Sequence, residues 1–212
     1  MTVIVINPNS TEAMTASILA AARHTAPDIR FEGWTSVGGP PAIEGPEDGA
    51  RAVPPLLELV RKASDAGARA IVIACFDDTG LDEARQLATC PVLGIGQASY
   101  VMAELIGGPT AVITTVQAAV PVIEANIDAQ GHASHIDTIR AANVPVLLLE
   151  DSPAEAAAAF TAAAHQLPPD TVNVIIGCAG AVSVTGHLGD LPGLTVIDGV
   201  TAAAKLSRAL VG

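Results

Sequence analysis

Two of the three cysteines in this 212-residue chain occupy matching positions in two similar stretches of sequence. Cys75 lies in IVIACFDDTG and Cys178 lies in VIIGCAGAVS. They are 103 residues apart, and the same distance separates Val92 from Thr195, which begin the similar segments VLGIG and TVIDG. This shared spacing indicates an internal duplication that brings two thiols to equivalent places in two halves of the molecule.

Two thiols on opposite faces of one carbon are suited to inverting its configuration. A thiolate on one side removes the α-proton, and a thiol on the other side returns a proton to the opposite face. A free cysteine has a pKa of about 8.5, so a small fraction is thiolate at neutral pH. Backbone N–H groups of a following helix start or turn are expected to lower that pKa and to bind an enolate oxygen.

A structural role for the cysteines is the simpler interpretation, because buried cysteine is common as a small hydrophobic residue. The duplicated position of Cys75 and Cys178 favours chemistry over packing. Cys90 has no counterpart in the second half, where Gly193 occupies the equivalent position. We predict that Cys90 belongs to the core or the surface.

The elements that must position the two thiols alternate along the chain. Apolar runs such as Ala70–Ala74 and Val172–Ile176 alternate with Ala-rich helical stretches, which is typical of parallel sheets buried on both faces. The segment Ser36–Gly49 is rich in Gly and Pro and is predicted to be a long loop. The other predicted strands are Val3–Ile6, Ile29–Trp34, Val92–Ile95, Ala111–Ile113, Val146–Leu149 and Thr195–Ile197.

This pattern predicts an α/β fold of two pseudo-symmetric lobes, each a mainly parallel sheet flanked by helices. Residues 1–96 with 199–212 are predicted to form lobe 1, and residues 97–198 to form lobe 2. Ligands of open α/β sheets bind outside the carboxyl ends of the strands. Both cysteines follow such ends, so the active site is expected in the crevice between the lobes.

Charge and composition narrow the classes of partner. Acidic residues outnumber basic residues by 22 to 10, which gives a formal net charge of −12. A surface of this charge repels phosphate backbones and anionic membranes, which favours a small-molecule substrate over nucleic acid or a membrane. The low cysteine count without a framework spacing, and the lack of a basic N-terminal region, favour a cytoplasmic location.

Four motifs together resemble the aspartate/glutamate/hydantoin racemase superfamily, and within it the hydantoin and allantoin racemases. The motifs are INPNS at 6–10, IEG at 43–45, ACFDDTGLDEAR at 74–85 and GCAGAV at 177–182. They follow the family's order and span nearly the whole chain. The resemblance implies racemisation without cofactor or metal by the pair Cys75 and Cys178, on 5-substituted hydantoins or allantoin. It also implies a homo-oligomer.

The resemblance further implies the contacts of the substrate. Asn7 is expected to hydrogen-bond it, the backbone at 76–77 and 179–180 to hold its carbonyl or carboxylate oxygens, and two threonines to line the crevice. Glu44, in the Gly- and Pro-rich loop, is a candidate for substrate contact, and capping of that loop is an equal alternative. The predicted substrate-binding residues are Asn7, Glu44, Phe76, Asp77, Thr114, Thr115, Ala179 and Gly180.

Two positions depart from the family's pattern. Where hydantoin racemases have ACFGDPGL, this chain has ACFDDTGL, so Asp77 replaces a glycine and Thr79 replaces a proline. The additional carboxylate and hydroxyl beside the first cysteine bear on the substrate more than on the reaction. An inward-pointing Asp77 disfavours an anionic substrate, and a role at the start of the next helix is an equal alternative.

Other functions fit the sequence less well. A pyridoxal-phosphate racemase needs a Schiff-base lysine, and both Lys62 and Lys205 lie in helical patterns. GIGQAS at 94–99 mimics a dinucleotide motif but has Ser99 at the third glycine. Three alternatives stay open: a racemase of free aspartate or glutamate, a hydrolase with Cys178 as nucleophile and His187 as base, and a non-catalytic binding module.

Overall fold

The computed structural model describes residues 2–211 and contains two parallel sheets of four strands each. The first sheet has the order β2-β1-β3-β4. Its strands are β1 (Thr2–Asn7), β2 (Arg30–Thr35), β3 (Ala70–Ile73) and β4 (Val92–Gly94). The second sheet has the order β6-β5-β7-β8. Its strands are β5 (Thr110–Thr114), β6 (Thr138–Ala141), β7 (Asn173–Gly177) and β8 (Thr195–Asp198).

The two sheets share one topology. β1 and β2 begin 108 residues before β5 and β6, while β3 and β4 begin 103 residues before β7 and β8. The predicted fold class, two pseudo-symmetric α/β lobes, is confirmed. The exact lobe boundaries, 1–96 with 199–212 and 97–198, stay a prediction.

Nine α-helices among residues 2–211 connect or flank the strands. They are α1 (Glu12–Thr25), α2 (Pro46–Asp65), α3 (Leu81–Leu87), α4 (Ile95–Ile106), α5 (Val120–Ala129), α6 (Leu148–Asp151), α7 (Pro153–Ala164), α8 (Ala181–Val184) and α9 (Gly199–Val211). Within this part of the chain no helix has both the length and the apolar character needed to span a membrane.

Apolar residues cover both faces of the first sheet, as expected for a buried parallel sheet. Val3 and Val5 belong to a large apolar cluster that also includes residues of α1, α4 and α9, whereas Ile4 and Ile6 face a second cluster that includes residues of α2. The alanines of α9 at 202–204 are buried, and α9 packs against α1 and α4. With only five aromatic residues in the chain, small side chains allow this close helix packing.

One predicted strand is wrong. Val146–Leu149 reads as an apolar strand, but Leu148 begins helix α6 and the side chain of Leu149 is fully buried. The fourth strand of the second sheet is β6 instead, which lies at the sheet edge and contains the exposed Arg140. A short, half-exposed edge strand lacks the apolar run that would predict it. The long loop is also shorter than predicted, because α2 begins at Pro46.

Candidate active site

The two matched cysteines line one small cavity at the carboxyl ends of the central strands. Cys75 lies two residues after the end of β3, and Cys178 directly follows β7. Both are free thiols that are less than one tenth exposed. The cavity has a volume of about 30 Å³, and residues at or just beyond the strand ends of both halves contribute to its wall. The topology therefore brings the thiols from the two halves together, as the duplicated spacing predicts.

Close contact between the halves beside Cys178 depends on a glycine. A Cβ added at Gly177 would lie 3.1 Å from Cε1 of Phe76 and 3.1 Å from Cγ1 of Val112. Phe76 directly follows Cys75, so its ring brings the first half against the end of β7, directly before Cys178. A larger residue at 177 would push this ring away, and the cavity would lose part of its wall.

The pKa of each thiol is raised, chiefly by burial. For Cys75, the Asp77 carboxylate raises the pKa further, while the Thr79 hydroxyl and the Asp77 backbone N–H partly offset this rise. For Cys178, the pKa is raised to about 12 although the N–H groups of Gly180 and Ala179 lower it. The predicted N–H groups do lower the thiol pKa values, but the loss of hydration on burial outweighs them.

The Asp77–Thr79 segment that follows Cys75 is held by the second half and by α4. Asp78, at a positive φ of 47°, accepts hydrogen bonds from the N–H groups of Gly96 at 3.0 Å and Gln97 at 2.8 Å. The amide of Gln130, which directly follows α5, donates to the same carboxylate at 2.9 Å. Burial raises the pKa of Asp78 to about 6 even though these donors oppose the rise.

Asp77 lies close to the Asp78 carboxylate, and fewer hydrogen-bond donors contact its carboxylate than contact that of Asp78. Burial, and then repulsion from Asp78, raise the pKa of its carboxyl to about 7. Asp77 lines the cavity, and its backbone carbonyl accepts a hydrogen bond from the Asn126 amide. The residue that replaces the family's glycine thus lies in the cavity wall, and Gly80 rather than Asp77 directly precedes α3.

Most of the other predicted contacts lie in the cavity wall. Phe76, Thr114, Thr115 and Ala179 all line it. The Thr114 hydroxyl donates to the Gly177 carbonyl oxygen at 3.1 Å, which fixes the strand end beside Cys178.

Asn7 and Gly180 do not line the cavity. Asn7 is fully buried, and its amide donates to Oδ1 of Asn9 at 2.8 Å and to Oγ1 of Thr15 at 3.1 Å, so it positions Asn9 in the wall. Gly180 packs instead under Leu149, whose Cβ would lie 3.1 Å from an added Cβ.

Several wall residues were not predicted from the sequence. Asn9 belongs to the INPNS motif, where capping of the first helix is the simpler interpretation and ligand contact the alternative. The others are apolar residues with no distinguishing pattern. The wall residues outside the predicted set are Asn9, Met14, Ile43, Ala74, Ala119, Val146 and Gly177.

Glu44 closes the loop over the cavity and is not part of its wall. Its Oε1 accepts a hydrogen bond from the Val146 N–H at 2.7 Å, which joins the loop of the first half to the second half. Val146 and Ile43, the residue before Glu44, do line the cavity. The structure thus favours the loop-capping alternative for Glu44.

We expect Glu44→Ala to raise KM about tenfold or more, because a hydrogen bond to a charged group contributes about 1.5–3 kcal/mol to the closed arrangement. Hydrogen exchange at the Val146 amide should become faster in the same variant. Glu47→Ala is the matched control, since Glu47 is exposed in the first turn of α2. Equal KM values in the two variants would contradict a closing role for Glu44.

The Thr79 hydroxyl donates a hydrogen bond to the Cys75 sulfur at 3.4 Å. We expect Thr79→Val to raise the pKa of the Cys75 thiol further and to move the acid limb of the kcat/KM profile to higher pH. At neutral pH the loss should be about tenfold or more, as expected for a hydrogen bond to a charged group. Thr79→Ser keeps the hydroxyl and should restore the wild-type profile. A valine variant with the wild-type profile would show that the hydroxyl does not act on the thiolate.

His187, the base required by a cysteine hydrolase, does not line the cysteine cavity. It lies in a 3₁₀ turn and borders a separate surface pocket with Thr161 and His165. Among residues 2–211, no group of three or more His, Cys, Asp or Glu side chains is arranged to hold a metal ion.

Comparison with known proteins decides the family. Residues 3–207 match the Asp/Glu/Hydantoin racemase family. The chain belongs to this family. Membership makes it an isomerase, a racemase, and confirms the resemblance seen in the motifs.

Individual members are similar over their length. A hydantoin racemase of Rhizobium meliloti is 39% identical over 217 residues, which cover all of this chain and 89% of the relative. A hydantoin racemase of Pseudomonas sp. strain NS671 is 32% identical and covers all of this chain and 86% of the relative. The solved allantoin racemase from Klebsiella pneumoniae superposes with a TM-score of 0.93 at 34% identity, covering 100% of this chain and 87% of that one.

Proposed function

We propose that this racemase inverts the acidic α-carbon of a 5-substituted hydantoin or of allantoin, with Cys75 and Cys178 as the two bases. The observation that carries the proposal is that two buried thiols at duplicated positions line one cavity. The similarity to hydantoin racemases and to an allantoin racemase supports the substrate class.

The chemistry needs one thiolate and one thiol. The thiolate takes the proton of the ring α-carbon, and the electron pair of the C–H bond moves into the adjacent carbonyl to give a planar enolate. The opposite thiol then protonates the other face and becomes the thiolate. N–H groups near the thiols, such as those of Asp77 and Gly180, are suited to hold the enolate oxygen.

The raised thiol pKa values are compatible with this role. A thiolate formed while the site is open to water becomes a stronger base once closure removes its hydration, because the cavity disfavours its charge. A thiolate with a higher pKa has a larger driving force to remove a proton from a weakly acidic C–H bond, although a smaller fraction of the thiol is ionised at a given pH. The Glu44–Val146 bond provides a contact that completes closure.

Deuterium exchange with optical analysis tests the proposal. Each enantiomer of 5-isobutylhydantoin, allantoin, aspartate and glutamate is incubated with the enzyme in D₂O, with no-enzyme reactions to subtract spontaneous racemisation. We expect loss of optical activity from either enantiomer of a hydantoin, with one deuterium gained at the α-carbon. Exchange confined to aspartate or glutamate would instead establish a racemase of free amino acids. A ring-opened product would establish a hydrolase.

A further inference from the structure

A second, larger cavity opens beside the cysteine cavity. We call it the outer cleft; its walls are formed by residues 45–53, 77–85 and 122–130, together with Gln97. Its volume is about 460 Å³, compared with about 30 Å³ for the cysteine cavity. Among the described residues, Asp77 is the only one that lines both. Asp77 therefore lies where the cysteine cavity meets the wider cleft.

The Asp77 carboxylate has no protein donor among the described residues. The residue is 9% exposed, and its side chain makes no hydrogen bond or ion pair with any of residues 2–211. The other buried acid of the cleft, Asp78, has its oxygens occupied by the N–H groups of Gly96 and Gln97. Asp82 is exposed and lies 3.7 Å from Arg85. An unpaired buried carboxylate is costly, and a donor supplied by a ligand removes that cost.

We propose that the outer cleft receives the substituent of the reacting carbon and that Asp77 accepts a hydrogen bond from it. The preferred substrates are then hydantoins whose substituent carries N–H donors, either a neutral ureido group or an ammonium group. This inference rests on the proposed function, because it places the ring between Cys75 and Cys178.

The sizes and charges of the two cavities support this assignment. The cysteine cavity has less than one tenth of the volume of the cleft, so a substituent on the reacting carbon needs the space beyond Asp77. Asp77, Asp78, Asp82 and Glu83 outnumber the single Arg85 in the cleft wall, which disfavours an anionic substituent. A donor bound to Asp77 also disperses the charge that opposes a thiolate at either cysteine.

The test compares shape-matched substituents on the hydantoin ring. 5-(3-Aminopropyl)hydantoin is paired with 5-butylhydantoin, allantoin is paired with 5-isobutylhydantoin, and 5-(2-carboxyethyl)hydantoin is the anionic probe. In each pair, we expect the wild type to favour the hydantoin whose substituent carries N–H groups by about 10- to 100-fold in kcat/KM. The anionic probe should be processed most slowly. Preference in the ammonium pair alone would restrict the ligand class to cations.

Asp77→Asn and Asp77→Ala should both reduce the preference ratio by about tenfold or more. Asp65→Asn is the matched control and should keep the wild-type ratio, because Asp65 is exposed at the end of α2 and lies outside the cleft wall. Circular dichroism of each variant monitors folding. Equal ratios in wild type and both Asp77 variants would overturn this inference while leaving the racemase proposal intact. Absence of exchange with every hydantoin would overturn the proposed function itself.

Discussion

Replacing Cys75 or Cys178 by serine is expected to lower racemisation of the substrate by about 10²- to 10⁴-fold, the contribution typical of a positioned acid or base. A serine hydroxyl is a far weaker acid than a thiol, so neither proton removal nor proton return proceeds well at the changed position. Both thiols line the same cavity, and the two variants should therefore be similarly impaired. Chiral chromatography of the product measures the rate of inversion.

The two variants should differ in deuterium exchange. In the Cys75→Ser enzyme, Cys178 still removes the proton of one enantiomer and returns a deuteron to the same face, so exchange occurs without inversion. The Cys178→Ser enzyme should exchange only the other enantiomer. Cys90→Ser is the control, since Cys90 lies outside the cavity wall and should leave both rates unchanged. A fully active Cys75→Ser enzyme would contradict the two-base mechanism, and a hydrolase through Cys178 alone would then have to be reconsidered.

The cysteine pair could be predicted from sequence because strand ends and residue spacing can both be read along the chain. An apolar run fixes where a parallel strand ends, and equal spacing in the two halves relates one strand end to the other. The family resemblance, rather than spacing, gave Phe76, Asp77, Thr114, Thr115 and Ala179, which all line the cavity wall.

Features that depend on contacts between distant segments could not be predicted. The Glu44–Val146 bond joins residues 102 positions apart, and the Gln130–Asp78 bond joins residues 52 positions apart. Neither residue type nor local pattern specifies such a partner. The edge strand β6 could not be predicted for a different reason. Its residues are partly exposed, so it lacks the apolar run that marks a buried strand.

The glycines of GIGQAS at 94–99 have a packing role in the structure. Their spacing mimics a dinucleotide site, but they allow the start of α4 to approach residues 76–78, which we call the Cys75 loop. A Cβ added at Gly96 would collide with the carbonyl oxygen of Phe76 and lie 2.9 Å from Oδ2 of Asp78. The first of these atoms is backbone, so the collision cannot be relieved by rotation of a side chain.

We expect Gly96→Ala to lower kcat by about 100-fold, because displacement of the Cys75 loop by about 1 Å misplaces a reacting group. The free energy of unfolding should fall by about 1–3 kcal/mol from overpacking. Gly186→Ala is the matched control, because an added Cβ there has no neighbour within 4 Å. Urea titration and steady-state kinetics of the two variants measure both effects.

The direction of the stability change distinguishes a steric collision from the effect of helix propensity. Alanine favours a helix over glycine by about 1 kcal/mol, so a Gly96→Ala change inside α4 would stabilise the protein if propensity alone mattered. A loss of both stability and kcat requires that the collision with the Phe76 carbonyl dominates. A variant that is more stable and fully active would show that the segment after Cys75 can shift without loss of activity. The hydrogen bonds from Gly96 and Gln97 to Asp78 would then have no part in positioning the thiol.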